Sequence, residues 1–130
     1  MTEKEHLNGL LRGAGLLLMT GVAAGAFGAH TLVEWLDAKG MSSFDTATRY
    51  ALVMGAASLA ATSTGHSKGV GWVQMGAALF SGSIYLLVMM RMWGWPFASW
   101  LGPVTPLGGI LMLWGWGLWI WGLRQPHQHS

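Results

Sequence analysis

Four long apolar stretches, at about 13–33, 46–64, 70–90 and 104–123, alternate with short polar gaps along this chain. A helix needs about 20 apolar residues to cross the hydrocarbon core of a bilayer, and each stretch is long enough or nearly so. Gaps this short force adjacent spans to run antiparallel. The pattern therefore predicts an all-α integral membrane bundle of four antiparallel transmembrane helices. Membrane β-strands would need alternating segments of about ten residues, and these runs are continuous and nearly twice that length. No gap is long enough to serve as a linker, so residues 1–130 are expected to form a single four-span domain.

The stretches differ in quality. The third carries no charge until Arg91 and is the clearest, whereas the second holds Arg49 and fades through Thr62-Ser63-Thr64. Ser42-x-x-Asp45 reads as a capping box that opens the second helix. Thr105-Pro106 reads as the opening of the fourth, with Thr as N-cap and Pro at the first helical position, where its missing N–H costs nothing. Residues 1–11 are polar and mixed in charge and are expected to fray. The first stretch runs into Gly28-Ala29-His30 with no A-x-A-like site, so it is expected to be a retained span rather than a cleaved signal.

Composition sharpens this picture. Hydrophobic residues make up 52% of the chain and charged residues 9%, against roughly 25% charged in soluble domains. Twelve charges cannot cover the surface of a soluble protein of this size. The net charge of +2 is small and dispersed, which gives no footprint for nucleic acid. The chain has no cysteine, which rules out disulfides and thiol chemistry and leaves the redox compartment open. Charge still bears on orientation. Lys4, Arg12, Lys68 and Arg124 fall on the side of the termini, and Lys39, Arg91 and Arg49 on the other, a narrow vote for cytoplasmic termini.

Of the nine tryptophans, Trp35, Trp72, Trp93, Trp95, Trp100, Trp119 and Trp121 lie at or near span ends, where an amphipathic ring suits the headgroup zone. Trp114 and Trp116 lie deeper, to pack between helices or face acyl chains.

Helical spacing sorts the small residues into stripes. Ala14, Gly21, Gly25 and Gly28 share a face of the first span, and Gly108, Gly115 and Gly122 recur every seven residues on the fourth. Such stripes mark close helix–helix contact, within a chain or between protomers. On the third span Gln74, Ala78, Ser81 and Tyr85 form a polar-small stripe. It acts either as hydrogen-bonding glue to a neighbouring helix or as the lining of a small cavity.

Antiparallel packing gathers His30, Glu34, Asp45, Thr46, Arg49, Tyr50, Tyr85, Arg91 and Thr105 at one end. His30 and Glu34 are four residues apart, as are Asp45 and Arg49, so each pair can interact along a helix. One reading makes this an ionisable functional site, with His30 against Glu34 or Tyr50 and Arg49 against Asp45; His30 titrates near neutral pH when unperturbed. The other is an ion-paired helix entrance near water, with Arg49 snorkelling. No third ligand completes a metal site beside His30 and Glu34, no cofactor is implied, and His127 and His129 sit in a tail expected to be solvated. No nucleophile–base pair, phosphate loop or carboxylate pair appears, so no enzyme is expected.

Four motifs appear in order: Gly25-Ala26-Phe27-Gly28-Ala29-His30, Phe44-x-Thr46-Ala47-x-x-Tyr50, Leu79-Phe80-Ser81-Gly82-Ser83-Ile84-Tyr85 and Thr105-Pro106-Leu107-Gly108-Gly109. Together they resemble the small bacterial membrane proteins of domain of unknown function 423, relatives of the eukaryotic transmembrane protein 256 group. The resemblance runs from about residue 10 to 122. It implies a multi-pass protein of the bacterial inner membrane and brings no activity with it. Proteins of that kind often carry a histidine four residues after the tyrosine of the second motif, where this chain has Met54. That departure weakens any metal or proton-relay role and favours packing for His30.

Two functions follow as expectations. The first is a structural or interaction protein, an accessory component whose partners are the lipid bilayer and a homo-oligomer or another membrane protein. The alternative is small-molecule, lipid or ion binding or transport through a polar pocket between the helices.

Overall fold

A computed structural model describes residues 2–94 and 101–124. It comprises four helices, α1 (Glu3–His30), α2 (Ala38–Ser63), α3 (Val70–Met92) and α4 (Leu101–Leu123), with one 3-10 turn, Leu32–Glu34, between the first two. No strand occurs among the described residues. Consecutive helices pack against one another, α1 on α2, α2 on α3 and α3 on α4, and α1 also touches α3. At 1.5 Å per residue α3 is about 35 Å long, enough to cross a bilayer.

Helices α1 and α3, and α4 over Gly102–Leu123, are long and apolar enough to be membrane spans. Helix α2 is as long, at 26 residues, but less apolar. Its position explains the difference: it lies between α1 and α3 and buries Thr48, Ser58 and Thr62 against protein rather than lipid. A helix covered on two sides needs less hydrophobicity than one bathed in acyl chains. The outward faces of the others are apolar, with Leu113 74% and Met19 71% exposed. In water such a surface would aggregate; in a bilayer it is the solvated face.

Several helix boundaries depart from the sequence reading. Residues 3–11 are helical rather than frayed, because Thr2 and Glu5 form a reciprocal capping box that satisfies two orphan N–H groups. Helix α2 starts at Ala38, eight residues before the expected position. Its N-cap is Asp37, whose carboxylate accepts from the Gly40 N–H at 2.7 Å. Ser42 and Asp45 are therefore interior residues and form no capping box; the Thr46 hydroxyl instead donates back to the Ser42 carbonyl at 2.9 Å. Helix α4 likewise starts at Leu101, which puts Pro106 inside it rather than at its first position. Thr105 is not an N-cap, and its hydroxyl pairs with that of Ser83 on α3 at 2.5 Å. An interior proline is tolerated in a membrane helix where neighbouring groups compensate for the missing N–H.

Glycines set the helix separations. A Cβ on Gly21 would stand 2.5 Å from the Leu52 side chain, and one on Gly28 would stand 2.7 Å from the Phe44 ring, so this stripe of α1 lies on α2. Gly25 is looser, with 3.6 Å to Thr48. The α3–α4 seam is closer still, backbone on backbone. A Cβ on Gly76 would lie 2.6 Å from the Gly108 carbonyl oxygen, and one on Gly108 2.7 Å from that of Gly76. Gly115 meets Gly69 in the same way one heptad along, at 2.6 Å. Gly69 also has φ +83, a left-handed conformation that admits glycine readily just before α3 begins. Gly122, the third of the α4 set, abuts the His66 ring.

Candidate functional site

The polar stripe of α3 forms a ladder of hydrogen bonds to its neighbours. Gln74 Nε2 donates to the Leu10 carbonyl of α1 at 2.7 Å. Ser81 Oγ donates to the Ala47 carbonyl of α2 at 2.8 Å, and the Tyr85 hydroxyl pairs with that of Thr48 at 2.8 Å. Ser83, one face round, reaches Thr105 on α4. Each polar group that α3 buries thus finds a partner on another helix, as a medium without water requires. Phe44 and Tyr50 extend the packing at this level, with ring centroids 5.0 Å from Tyr85 and 4.6 Å from Phe80.

The structure separates the other expected residues. His30 is the last residue of α1, and the chain leaves the helix at Thr31 into the 3-10 turn, so His30 and Glu34 do not share a helix. Both are exposed. Tyr50 rests on Phe80 rather than on His30. Asp45 and Arg49 share the exposed face of α2. Thr46 lines an end cleft of about 440 Å³ together with Ser42, Ser43, Arg91 and Thr105. No group of three metal-ligating side chains occurs among the described residues.

A second groove of about 580 Å³ runs between α1 and α3, walled by Leu16, Thr20, Met75, Ala78 and Gly82. Gln74, Ser81 and Tyr85 border it, but their polar ends point into the ladder. Its free surface is therefore chiefly apolar.

The opposite end of the bundle holds a clasp that the sequence reading missed. His66 Nε2 donates to the Trp119 carbonyl at 2.9 Å, since a carbonyl can only accept. Trp119 Nε1 donates in return to the His66 carbonyl at 2.9 Å. Lys68 lies over the Trp121 ring, 4.3 Å from its centroid. The loop between α2 and α3 is thereby tied to the last turns of α4. Trp35 and Trp93 are exposed at one end, and Trp72 and Trp121 at the other. Trp116 packs inward, its indole N–H on the Met54 sulfur at 3.4 Å, whereas Trp114 is exposed. Trp95, Trp100, His127 and His129 lie outside the described residues.

Comparison with known proteins adds a family. A UPF0382 membrane protein of Staphylococcus saprophyticus is 36% identical over 104 residues, covering 75% of this chain and 82% of the relative. A UPF0382 membrane protein of Schizosaccharomyces pombe is 35% identical over 108 residues, covering 79% and 91%. The UPF0382 inner membrane protein YgdD of Escherichia coli K12 is 33% identical over 108 residues, covering 78% of each chain. No solved structure matches the chain. The family model for the protein of unknown function DUF423 matches residues 24–109, from the last turns of α1 into α4. With its four helices and apolar outer faces, the chain is a multi-pass membrane protein, and it belongs to the DUF423 family.

Proposed function

We propose that this protein is a non-enzymatic component of the bacterial inner membrane that works through protein–protein contact, with the outer face of α2 as the contact surface for a second copy. One observation carries this reading: Asp45 and Arg49 are exposed on α2 at the depth of the Thr48–Tyr85 pair. That level lies about 10 Å inward from the Arg91 end of α3, at 1.5 Å per residue. An arginine against lipid costs about 2.5–3.5 kcal/mol at the bilayer centre on insertion scales and less at this shallower level, so such residues favour a protein partner.

A second copy supplies the complementary charge. About a two-fold axis along the membrane normal, two α2 helices run parallel. Asp45 of each is then offset by one turn, about 6 Å along the axis, from Arg49 of the other across a helix separation of about 8–10 Å, which the two side chains together can span. Ala56 and Ala60 continue the exposed face with small side chains that permit close approach.

Ala56→Cys tests this directly, because the chain has no other cysteine. Oxidation in native membranes should yield a covalent dimer, while Leu113→Cys on the outer face of α4 should not. Arg49→Asp should reduce the dimer band, and adding Asp45→Arg should restore it. An Ala56→Cys protein that stays monomeric overturns the proposal.

The termini are proposed to be cytoplasmic. The support is Lys4, Arg12, Lys68 and Arg124 on their side, set against Lys39, Arg49 and Arg91.

A further inference from the structure

We infer that the end cleft between α2, α3 and α4 binds the phosphate oxyanion of a membrane phospholipid. The cleft is graded in polarity along the membrane normal. Arg91, Ser42 and Ser43 line it toward the ends of α3 and α2, and Ile84, Val88 and Pro106, with Thr46 and Thr105, line it farther along the helices. Arg91 and Ile84 are seven residues apart on α3, so the change from charge to hydrocarbon takes about 10 Å. A phospholipid has that same gradient, from phosphate to acyl chain.

The groups toward the helix ends are not consumed by the fold. Arg91 is exposed and forms no ion pair among the described residues. Asp37 shares the wall of the adjoining cleft with Arg91, forms no ion pair with it, and caps α2 through its Oδ1 and the Gly40 N–H. Asp45 points away on the outer face of α2, and Glu34 is exposed beyond the end of α1. By contrast, the hydroxyls farther along are occupied, Thr46 on the Ser42 carbonyl and Thr105 on Ser83. A guanidinium with two neighbouring serine hydroxyls, Ser42 and Ser43, presents donors suited to a phosphate oxyanion. The volume of about 440 Å³ falls in the range of small-molecule sites. Basic pockets between membrane helices are a recurring way to hold lipid headgroups. Ser43 and Arg91 lie off the Asp45–Arg49 face, whereas Ser42, three residues before Asp45, borders it, so Arg91 and Ser43 carry the distinction between this site and the contact proposed for α2.

Native mass spectrometry of the full chain in mild detergent tests it, with phosphatidylglycerol, diacylglycerol and inorganic phosphate as probes. Phosphatidylglycerol should bind and diacylglycerol should not. Arg91→Gln should weaken phosphatidylglycerol binding about tenfold or more, the usual effect of losing a charge-assisted hydrogen bond, and Arg91→Lys should weaken it less. Arg124→Gln, at the other end of the bundle, should leave it unchanged. Millimolar inorganic phosphate that fails to displace the lipid identifies the membrane as the source. Phosphate that binds in place of the lipid would show a soluble anion site and overturn the lipid assignment. Equal retention of diacylglycerol, or an Arg91→Gln protein that folds with undiminished lipid binding, would overturn the site altogether.

Discussion

Gly108 and Gly109 are neighbours in sequence and opposites in environment. A Cβ on Gly108 would lie 2.6 Å from the Phe80 backbone nitrogen, whereas one on Gly109 meets nothing within 4 Å. Backbone cannot rotate aside as a side chain can, so Gly108→Ala must push α3 and α4 apart. Its expected cost is about 1–3 kcal/mol, the usual penalty for overpacking, while Gly109→Ala should change stability by less than about 0.5 kcal/mol. Thermal unfolding midpoints in detergent measure the contrast; equal effects at both positions would contradict the close seam. The heptad spacing of Gly108, Gly115 and Gly122 was legible in the sequence. Its partners Gly69 and Gly76 were not, because one chain's spacing shows that a face is small without showing what it meets. The same limit applies to Gln74, Ser81 and Tyr85. Their shared face could be read from spacing, but their partners, two of them backbone carbonyls, have no sequence signature.

At the scale of helices and loops, the apolar runs located each of the four α-helices but not the 3-10 turn Leu32–Glu34, and the errors fell on the helix ends. Ser42-x-x-Asp45 and Thr105-Pro106 resemble helix starts, yet Asp37 and Leu101 begin the helices instead. Hydropathy cannot see a helix whose first turn is polar, as at Glu3, Lys4 and Glu5 of α1 and Lys39 of α2. The expected His30–Glu34 pair failed for the converse reason: α1 stops at His30, and spacing presumes that the helix continues. The clasp between His66 and Trp119 escaped notice because it joins a loop to a helix 53 residues away. Its removal should act locally. His66→Ala loses one hydrogen bond outright and leaves Trp119 less fixed, a cost of about 1 kcal/mol. Hydrogen exchange should rise in the last turns of α4 while the α2–α3 ladder keeps its protection. Unaltered exchange at the end of α4 would show that the clasp does not hold that helix.

For the molecule as a whole, the bundle follows from a division between faces. The polar side chains of the α3 ladder are turned toward other helices, and Leu16, Met19, Ile110 and Leu113 are turned outward. Helix α2 is the exception in composition, and it is also the helix on which the antiparallel order depends. If it crosses, Thr2 and Ser67 lie on the same side of the membrane and Lys39 lies on the other. If it does not, Ser67 joins Lys39. The native chain has no cysteine, so Thr2→Cys, Lys39→Cys and Ser67→Cys can each be labelled alone with a membrane-impermeant thiol reagent, in intact and in broken cells. Four crossings predict that Thr2→Cys and Ser67→Cys share one labelling pattern and Lys39→Cys shows the opposite one. Matching patterns at Lys39→Cys and Ser67→Cys, with Thr2→Cys opposed, would contradict the four-span bundle.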